Sequence, residues 1–346
     1  MQALILAGGK GTRLRPLTVY TPKPIVPVLN RPFLLYQIEI LRRAGITDIT
    51  LSLNYQPDKI EQLLDDGSEY GVNLRYLTEP SPMGTGGAYK YAEDSIRETT
   101  VVLNGDVLTD LDVSKVVAFH RQKKSEATIV LTPVENPAAY GLVETDEENR
   151  VLRFREKPDA SEVADLKTKN INAGIYVLEP SVLDFIAAGE NSSFEYNVFP
   201  DLLKSQKPFY ACILRGNYWR DIGTPESYLS AHHEFLSGKI KGFEIERTSK
   251  FELATAAIVD KDSVIGADCV IKPNARVINS VVGEGVHIEE KGVVENSVIW
   301  SHTRISSAAH IKKSIVGRSC HIGRNVIVSD GAVLGDKTSL TDYTRI

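Results

Sequence analysis

Apolar and polar positions follow two rhythms along this chain. Up to about residue 112, short β-rich runs alternate with helical patterns: residues 2–7, a helix over 32–44, 48–53, a helix over 57–66, 72–77, a helix from about 86, and 101–103. In the first helix Leu34, Ile38 and Leu41 recur at steps of four and three, Pro32 suits the first turn and Gly45 the C-terminal cap. Such βαβ alternation predicts a Rossmann-like, doubly wound α/β sheet, mostly parallel. Beyond Asp112 the pattern mixes, with strands predicted at 127–134, 142–144, 151–154, 171–178 and 210–214 and a helix from about Pro225. This half is expected to extend the sheet, making it mixed, and to cover one side of a cleft.

From about Thr255 aliphatic residues return every six positions: Val259, Ile265, Ile271, Val277; Val282, Ile288, Val294; Ile299, Ile305, Ile311; then Val316, Ile322, Val328, Leu334, Leu340. Steps between these runs are five, and two sixes and a five make a coil of 17, the spacing at which Asn279-Ser280, Asn296-Ser297 and Lys313-Ser314 recur. Short residues four positions after many anchors, such as Cys269, Ala275, Ala309 and Cys320, suit the corners of a narrow prism. A left-handed parallel β-helix is predicted. The domains are then 1–240 (α/β), 241–254 (linker) and 255–346 (β-helix), the last a scaffold whose end and faces suit assembly into a homo-oligomer.

Length agrees, since 346 residues exceed the usual size of one core. Hydrophobic residues at 42% and charged residues at 25% are an ordinary globular balance. A net charge of -5 argues against a nucleic-acid binder but allows a local basic cleft. No run approaches the ~20 apolar residues of a membrane span, and the start runs straight into a strand without a cleavable signal pattern, so a cytoplasmic protein is expected. Cys212, Cys269 and Cys320, odd in number and widely spaced, read as small core residues rather than disulfides or zinc ligands.

The densest candidate chemistry follows the first strand: Leu6-Ala7-Gly8-Gly9-Lys10-Gly11-Thr12-Arg13-Leu14, continued by Pro22-Lys23-Pro24. Glycines let the backbone turn sharply and bring N–H groups to phosphate oxygens, Arg13 offers a planar fork of fixed charge, and Lys23 a point charge. A bare pair of glycines would read as a turn among solvated basic residues; this run is longer and more specific.

These motifs resemble the nucleoside-diphosphate-sugar pyrophosphorylase family, whose hallmark is Gly-Gly-x-Gly-Thr-Arg-Leu followed by Pro-Lys-Pro. Over nearly its whole length the chain is similar to the bacterial mannose-1-phosphate guanylyltransferase-like branch, which joins a transferase domain to a left-handed β-helix. The resemblance implies that a nucleoside triphosphate and a sugar 1-phosphate become an NDP-sugar and pyrophosphate. It places Leu6, Ala7, Gly8, Gly9, Gly11, Thr12 and Arg13 around the nucleotide, with Arg13 on the leaving pyrophosphate and Lys23 on the α-phosphate. It makes Asp106, in Asn104-Gly105-Asp106, and Asp221, in Trp219-Arg220-Asp221, the ligands of Mg²⁺, a hard ion that prefers oxygen. Without the family either aspartate reads as a cap or turn residue, as Asp112 is expected to be.

Sugar recognition is implied for Tyr140 and Gly141, for Glu156, which would accept from sugar hydroxyls, for Lys157 on the sugar phosphate, and for Asn172 on the ring. Base recognition is implied for Glu79, Gly84 and Thr85. Pyrimidine-specific relatives usually carry glutamine where Glu79 stands; an ionised glutamate only accepts, which suits the N1–H and N2–H₂ donors of guanine and favours GTP with mannose 1-phosphate. The alternatives are that Glu79 bonds N–H groups of its own loop, and that the enzyme is a glucose-1-phosphate thymidylyl-, uridylyl- or adenylyltransferase.

A phosphate monoester with a second pKa of about 6 is already largely ionised, so fixed positive charge and positioning are needed rather than a general base. Two other classes are consistent with parts of the chain. Left-handed β-helices often carry acyltransferase sites built on a histidine, here His287, His302, His310 or His321. Regulatory subunits of the translation initiation factor 2B complex share the two-domain plan with degraded sites, whereas Arg13, Lys23, Asp106 and Asp221 are all present here.

Overall fold

The structure, a computed structural model, describes residues 1–135, 137, 140–156 and 168–346. Two compact units divide the chain, 1–10 with 34–219 and 11–33 with 220–346, so the chain leaves the first unit inside its Gly-rich run. In chain order the elements before the repeats are β1 (Gln2–Leu6), β2 (Pro27–Val28), β3 (Arg31–Pro32), α1 (Leu34–Arg43), β4 (Asp48–Leu53), α2 (Pro57–Leu64), β5 (Asn73–Thr78), α3 (Gly84–Tyr91), β6 (Thr100–Asn104), β7 (Val107–Thr109), α4 (Val113–Lys123), β8 (Ala127–Pro133), β9 (Gly141–Thr145), β10 (Val151–Glu156), β11 (Asn170–Leu178), α5 (Phe199–Lys204), β12 (Phe209–Ile213), β13 (Trp219–Asp221) and α6 (Pro225–Leu236).

The first unit is built on a mixed sheet in the order β10-β9-β11-β6-β1-β4-β5, with β8 on β11 and β12 on β8. Its β6-β1-β4-β5 half is parallel. In contrast, β11 runs antiparallel to β6 and β8, and β9 to β10. The apolar run of β1 follows from burial on both faces, as Ala3, Leu4 and Ile5 all lie in the core. A π-helical turn at Phe194–Val198 feeds α5 and carries Phe194 and Phe199 into a ring cluster with Tyr89, Tyr176 and Phe209. No periodic signal predicted that turn.

Asp112 caps α4, accepting from the Ser114 N–H at 3.1 Å, as its position before the helix suggested. The cysteines need one correction. Cys269 and Cys320 are core residues, but Cys212 is only half-buried, on a strand at the end of the sheet that pairs along its length with β8 and meets its other side only around Asn149 and Arg150.

In the second unit, two- and three-residue strands stack into three parallel sheets of six, five and five strands, the faces of the left-handed β-helix. Central coils repeat at 17 residues, as in Val281↔Val298↔Ile315. The first and last lengthen to 18, as in Val270 on Glu252 and Val333 on Ile315, where the anchors run in unbroken sixes. The recurring serine has a physical cause: the N–H groups of Ser280, Ser297 and Ser314 each donate to the hydroxyl of the serine one coil earlier at 3.1 Å. The hydroxyls of Ser280, Ser297 and Ser314 donate in turn to the carbonyl two residues back, and that of Ser263 to Asp260 Oδ1, so a buried corner is fully bonded.

Candidate active site

In the first unit Gly8, Gly9, Glu79 and Asp106 follow the carboxyl ends of the parallel strands β1, β5 and β6, where open α/β sheets bind ligands, while Gly141, Glu156 and Asn172 lie on the antiparallel strands β9, β10 and β11. Leu6 ends β1, and the Ala7 N–H donates to Ser52 O at the end of β4. Gly8 and Gly9 follow. Beside them Gly105 donates its N–H to Leu6 O at 2.9 Å, and a Cβ there would stand 2.7 Å from that oxygen, so only glycine lets the Asp106 turn close against β1. The same turn is held by a residue that sequence reasoning missed. Gln37 on α1 is 1% exposed and its Nε2 donates to Asn104 O at 2.8 Å and Val107 O at 2.9 Å, clasping Asp106 from both sides. Its signal was one polar residue inside an apolar helix stripe.

Glu79 follows β5 and is 7% exposed. Ser52 Oγ donates to its Oε1 at 2.8 Å and the Met83 N–H to its Oε2 at 3.3 Å. The carboxylate therefore braces its own loop, while each oxygen keeps a second lone pair for another donor.

Gly84 and Thr85 open α3, and Thr85, expected beside the base, joins Asn172 in one hydrogen-bonded cluster. Its centre is Glu195, which no motif singled out. Thr85 Oγ1 (3.0 Å) and Ser193 Oγ (2.5 Å) donate to Glu195 Oε2, and the Tyr176 hydroxyl (3.2 Å) and Asn172 Nδ2 (3.4 Å) to Oε1. Burial first, and then the Glu195 charge, hold the Tyr176 hydroxyl well above its usual pKa, so it stays a donor. Glu195 and Glu156 both line a cavity of about 380 Å³ with Arg153, Phe154, Arg155 and Tyr196. Glu156 pairs with Gly141 across β9 and β10, and a Cβ on Gly141 would lie 2.5 Å from Glu156 Oε2. Tyr140 packs edge-on against Trp219, whose Nε1 donates to Ala173 O next to Asn172. Lys157 lies outside the described residues.

In the second unit Gly11 accepts from Thr18 Oγ1 at 2.7 Å and starts the turn Thr12–Leu14. Asp221 is flanked by two cations: Lys23 Nζ stands 3.9 Å from Oδ1 and Arg13 Nη2 3.8 Å from Oδ2. The Lys23 side chain is 10% exposed and that of Arg13 68% exposed, so one charge is built in and the other is open to an arriving anion. Carboxylates beside fixed cations are the hard oxygen donors and phosphate partners that a divalent cation and a polyphosphate require together. The four β-helix histidines are all exposed: His287 and His321 lie on one face, His310 on a second, and His302 in a turn between strands. Among the described residues, no helix is long and apolar enough to cross a membrane.

The first unit thus carries Gly8, Gly9 and Asp106 at its strand ends, and the second carries Asp221 between Arg13 and Lys23. The nucleotidyl transferase family model matches residues 2–238, and the model of the EIF2B subunit epsilon LbH domain matches 244–346. The chain belongs to the nucleotidyl transferase family, whose members generally use a divalent metal. It is similar to the mannose-1-phosphate guanyltransferase of Pichia angusta, with 38% identity over 100% of this chain and 94% of that protein. It is likewise similar to mannose-1-phosphate guanylyltransferases of Mycobacterium tuberculosis, with 37% identity covering 85% and 83%, and of Arabidopsis thaliana, with 34% covering 97% and 96%. A Bacillus anthracis crystal structure described as a glucose-1-phosphate thymidylyltransferase aligns with TM-score 0.61 and 25% identity over 71% of this chain and 98% of that one.

Proposed function

We propose that the protein is a mannose-1-phosphate guanylyltransferase, converting GTP and mannose 1-phosphate into GDP-mannose and pyrophosphate. The observation that carries this reading is Asp221 held between Arg13 of the Gly-rich run and Lys23 of the Pro-Lys-Pro segment that follows it. Full-length similarity to mannose-1-phosphate guanylyltransferases supports the substrate pair.

A phosphate oxygen of mannose 1-phosphate attacks the α-phosphorus, and the bond to the bridging oxygen breaks to release pyrophosphate. Gly8, Gly9 and Gly11 present backbone N–H groups to the triphosphate, Lys23 meets the α-phosphate, and exposed Arg13 takes the departing charge. Asp106 and Asp221 would hold Mg²⁺, which when bound offsets charge on the triphosphate. Glu79 is assigned to the guanine edge, with Gly84 and Thr85 shaping that side. Tyr140, Gly141, Glu156 and Asn172 are assigned to the sugar, with Glu195 ordering Asn172, and Lys157 to its phosphate. GTP is an intracellular metabolite, so a cytoplasmic site of action accompanies this reading, as does a homo-oligomer assembled through the β-helix.

The test is magnesium-dependent pyrophosphate release for GTP, UTP, dTTP and ATP against mannose 1-phosphate and glucose 1-phosphate. A dominant GTP and mannose 1-phosphate signal is expected. Preference for another pair overturns the substrate assignment, and no turnover by folded protein overturns the enzyme reading in favour of a regulatory one.

A further inference from the structure

One column of the β-helix breaks its own rule. At successive coils the residue after the aliphatic anchor is Gly266, Gly283, Trp300, Gly317 and Gly335. A Cβ on Gly266, Gly283 or Gly317 would stand 2.5–2.7 Å from backbone of the next coil. A tryptophan in that column is costly to seat, yet Trp300 is 2% exposed. Its indole Nε1 donates to the Tyr228 hydroxyl on α6 at 2.9 Å, and that hydroxyl donates to Pro27 O. Each hydrogen bond in such a chain polarises the next.

Pro27 belongs to the segment 11–33 that carries Arg13 and Lys23. Three more contacts fasten the same segment to the β-helix. Arg318, whose guanidinium lies 5.2 Å from the Trp300 ring, donates to Thr21 Oγ1 at 3.2 Å. Asn30 Nδ2 donates to Val282 O at 2.9 Å, and a Cβ on Gly335 would stand 3.1 Å from Pro16 Cβ. The segment's own regular structure is two single turns and the two-residue strands β2 and β3, too little to hold a shape alone. We propose that Trp300, acting through Tyr228, is a positioning residue for the Arg13–Lys23 segment, so that the β-helix sets the placement of these two cations as well as scaffolding the chain. This rests on the reading that Arg13 and Lys23 bind the triphosphate.

Trp300→Phe, which removes the N–H and keeps an aromatic ring, and Tyr228→Phe are compared with wild type in the GTP and mannose 1-phosphate assay. Each is expected to lower kcat/KM for GTP about 10-fold and to leave the KM for mannose 1-phosphate unchanged, the double variant losing no more than the worse single. Amide hydrogen exchange at Ile25 and Val26, whose N–H groups bond Pro22 O and Lys23 O, is expected to quicken while that of β1 stays slow. Ile305→Val, in the β-helix core, is the control for lost stability.

Wild-type kcat/KM in Trp300→Phe, or a loss matched by a control of equal Tm change, overturns the proposal. Should Trp300→Phe fail to fold, Arg318→Met puts the same question through Thr21, with the same outcomes decisive. Lys23→Ala separates the two readings: if it is inactive while Trp300→Phe is normal, the positioning proposal fails and the function stands. Full activity in Lys23→Ala counts against the role given to the segment, and the relay is then judged by amide exchange alone.

Discussion

The two units bury polar groups in opposite ways. In the β-helix, Ser280, Ser297 and Ser314 repeat one bonding pattern coil after coil, each satisfied by its neighbours within two residues and one turn of the prism. In the α/β unit, Glu195, Glu79 and Gln37 each gather donors or acceptors from separate segments once only. Repetition solves a packing problem that recurs. A unique buried network has to be held by its surroundings and costs much when half-satisfied, so it marks where chemistry is built.

The sharpest break in this contrast is expected at the aspartates. Asp106→Ala or Asp221→Ala should lower kcat by about 10³-fold or more, as loss of a ligand to transition-state charge does, with unchanged circular dichroism. Turnover near wild type would remove both from the site. Next, Glu195→Gln should reduce kcat/KM for mannose 1-phosphate by about 10²-fold with little effect on the KM for GTP, because it leaves Thr85, Ser193, Tyr176 and Asn172 competing for one neutral acceptor. A loss of Tm alone would make the cluster structural, like the serine ladder.

A pH test comes third. Desolvation, opposed by a bond to Tyr228 O and reinforced by His233, lowers the buried His232 to about 4 from 6.5. A base harder to protonate when folded destabilises the fold as pH falls from the unfolded value towards the folded one. Between pH 7 and 5 that group should remove about 2 kcal/mol of unfolding free energy. His232→Gln should flatten that part of the profile in urea titrations; an unchanged slope would show that His232 is not its source. Smallest is Ser297→Ala, expected to cost about 1 kcal/mol in thermal unfolding with kcat unchanged, since it removes one bond on each side of a single rung. A change in kcat there would end the distinction between the two modes of burial.

Much of this could be read along the chain. Strands β1, β4 and β6 and the hexad anchors were legible because their apolar spacing is a local consequence of burial on a sheet or prism face. Asp112 was legible as a cap for the same reason, its partner lying two residues away. Glu195 was not. It sits in a π-helical turn without periodicity, and its partners Thr85 and Asn172 lie 110 and 23 residues away. Glu79 shows an intermediate case: its residue type was informative, but only the fold reveals that Ser52 and Met83 already use it.

The sequence by itself determined the two rhythms and the Gly-rich run with its cations, because turn chemistry, fixed charge and aliphatic spacing act through neighbours in the chain; Asp106 and Asp221 stood out only by family resemblance. Tertiary structure alone decided that this run is shared between two compact units, that Gln37 clasps the Asp106 turn, and that Trp300 reaches Pro27 through Tyr228. Those links join groups 67 to 201 residues apart, and a hydrogen bond across such a distance leaves no periodic trace, since its energy depends on where folding brings two atoms together.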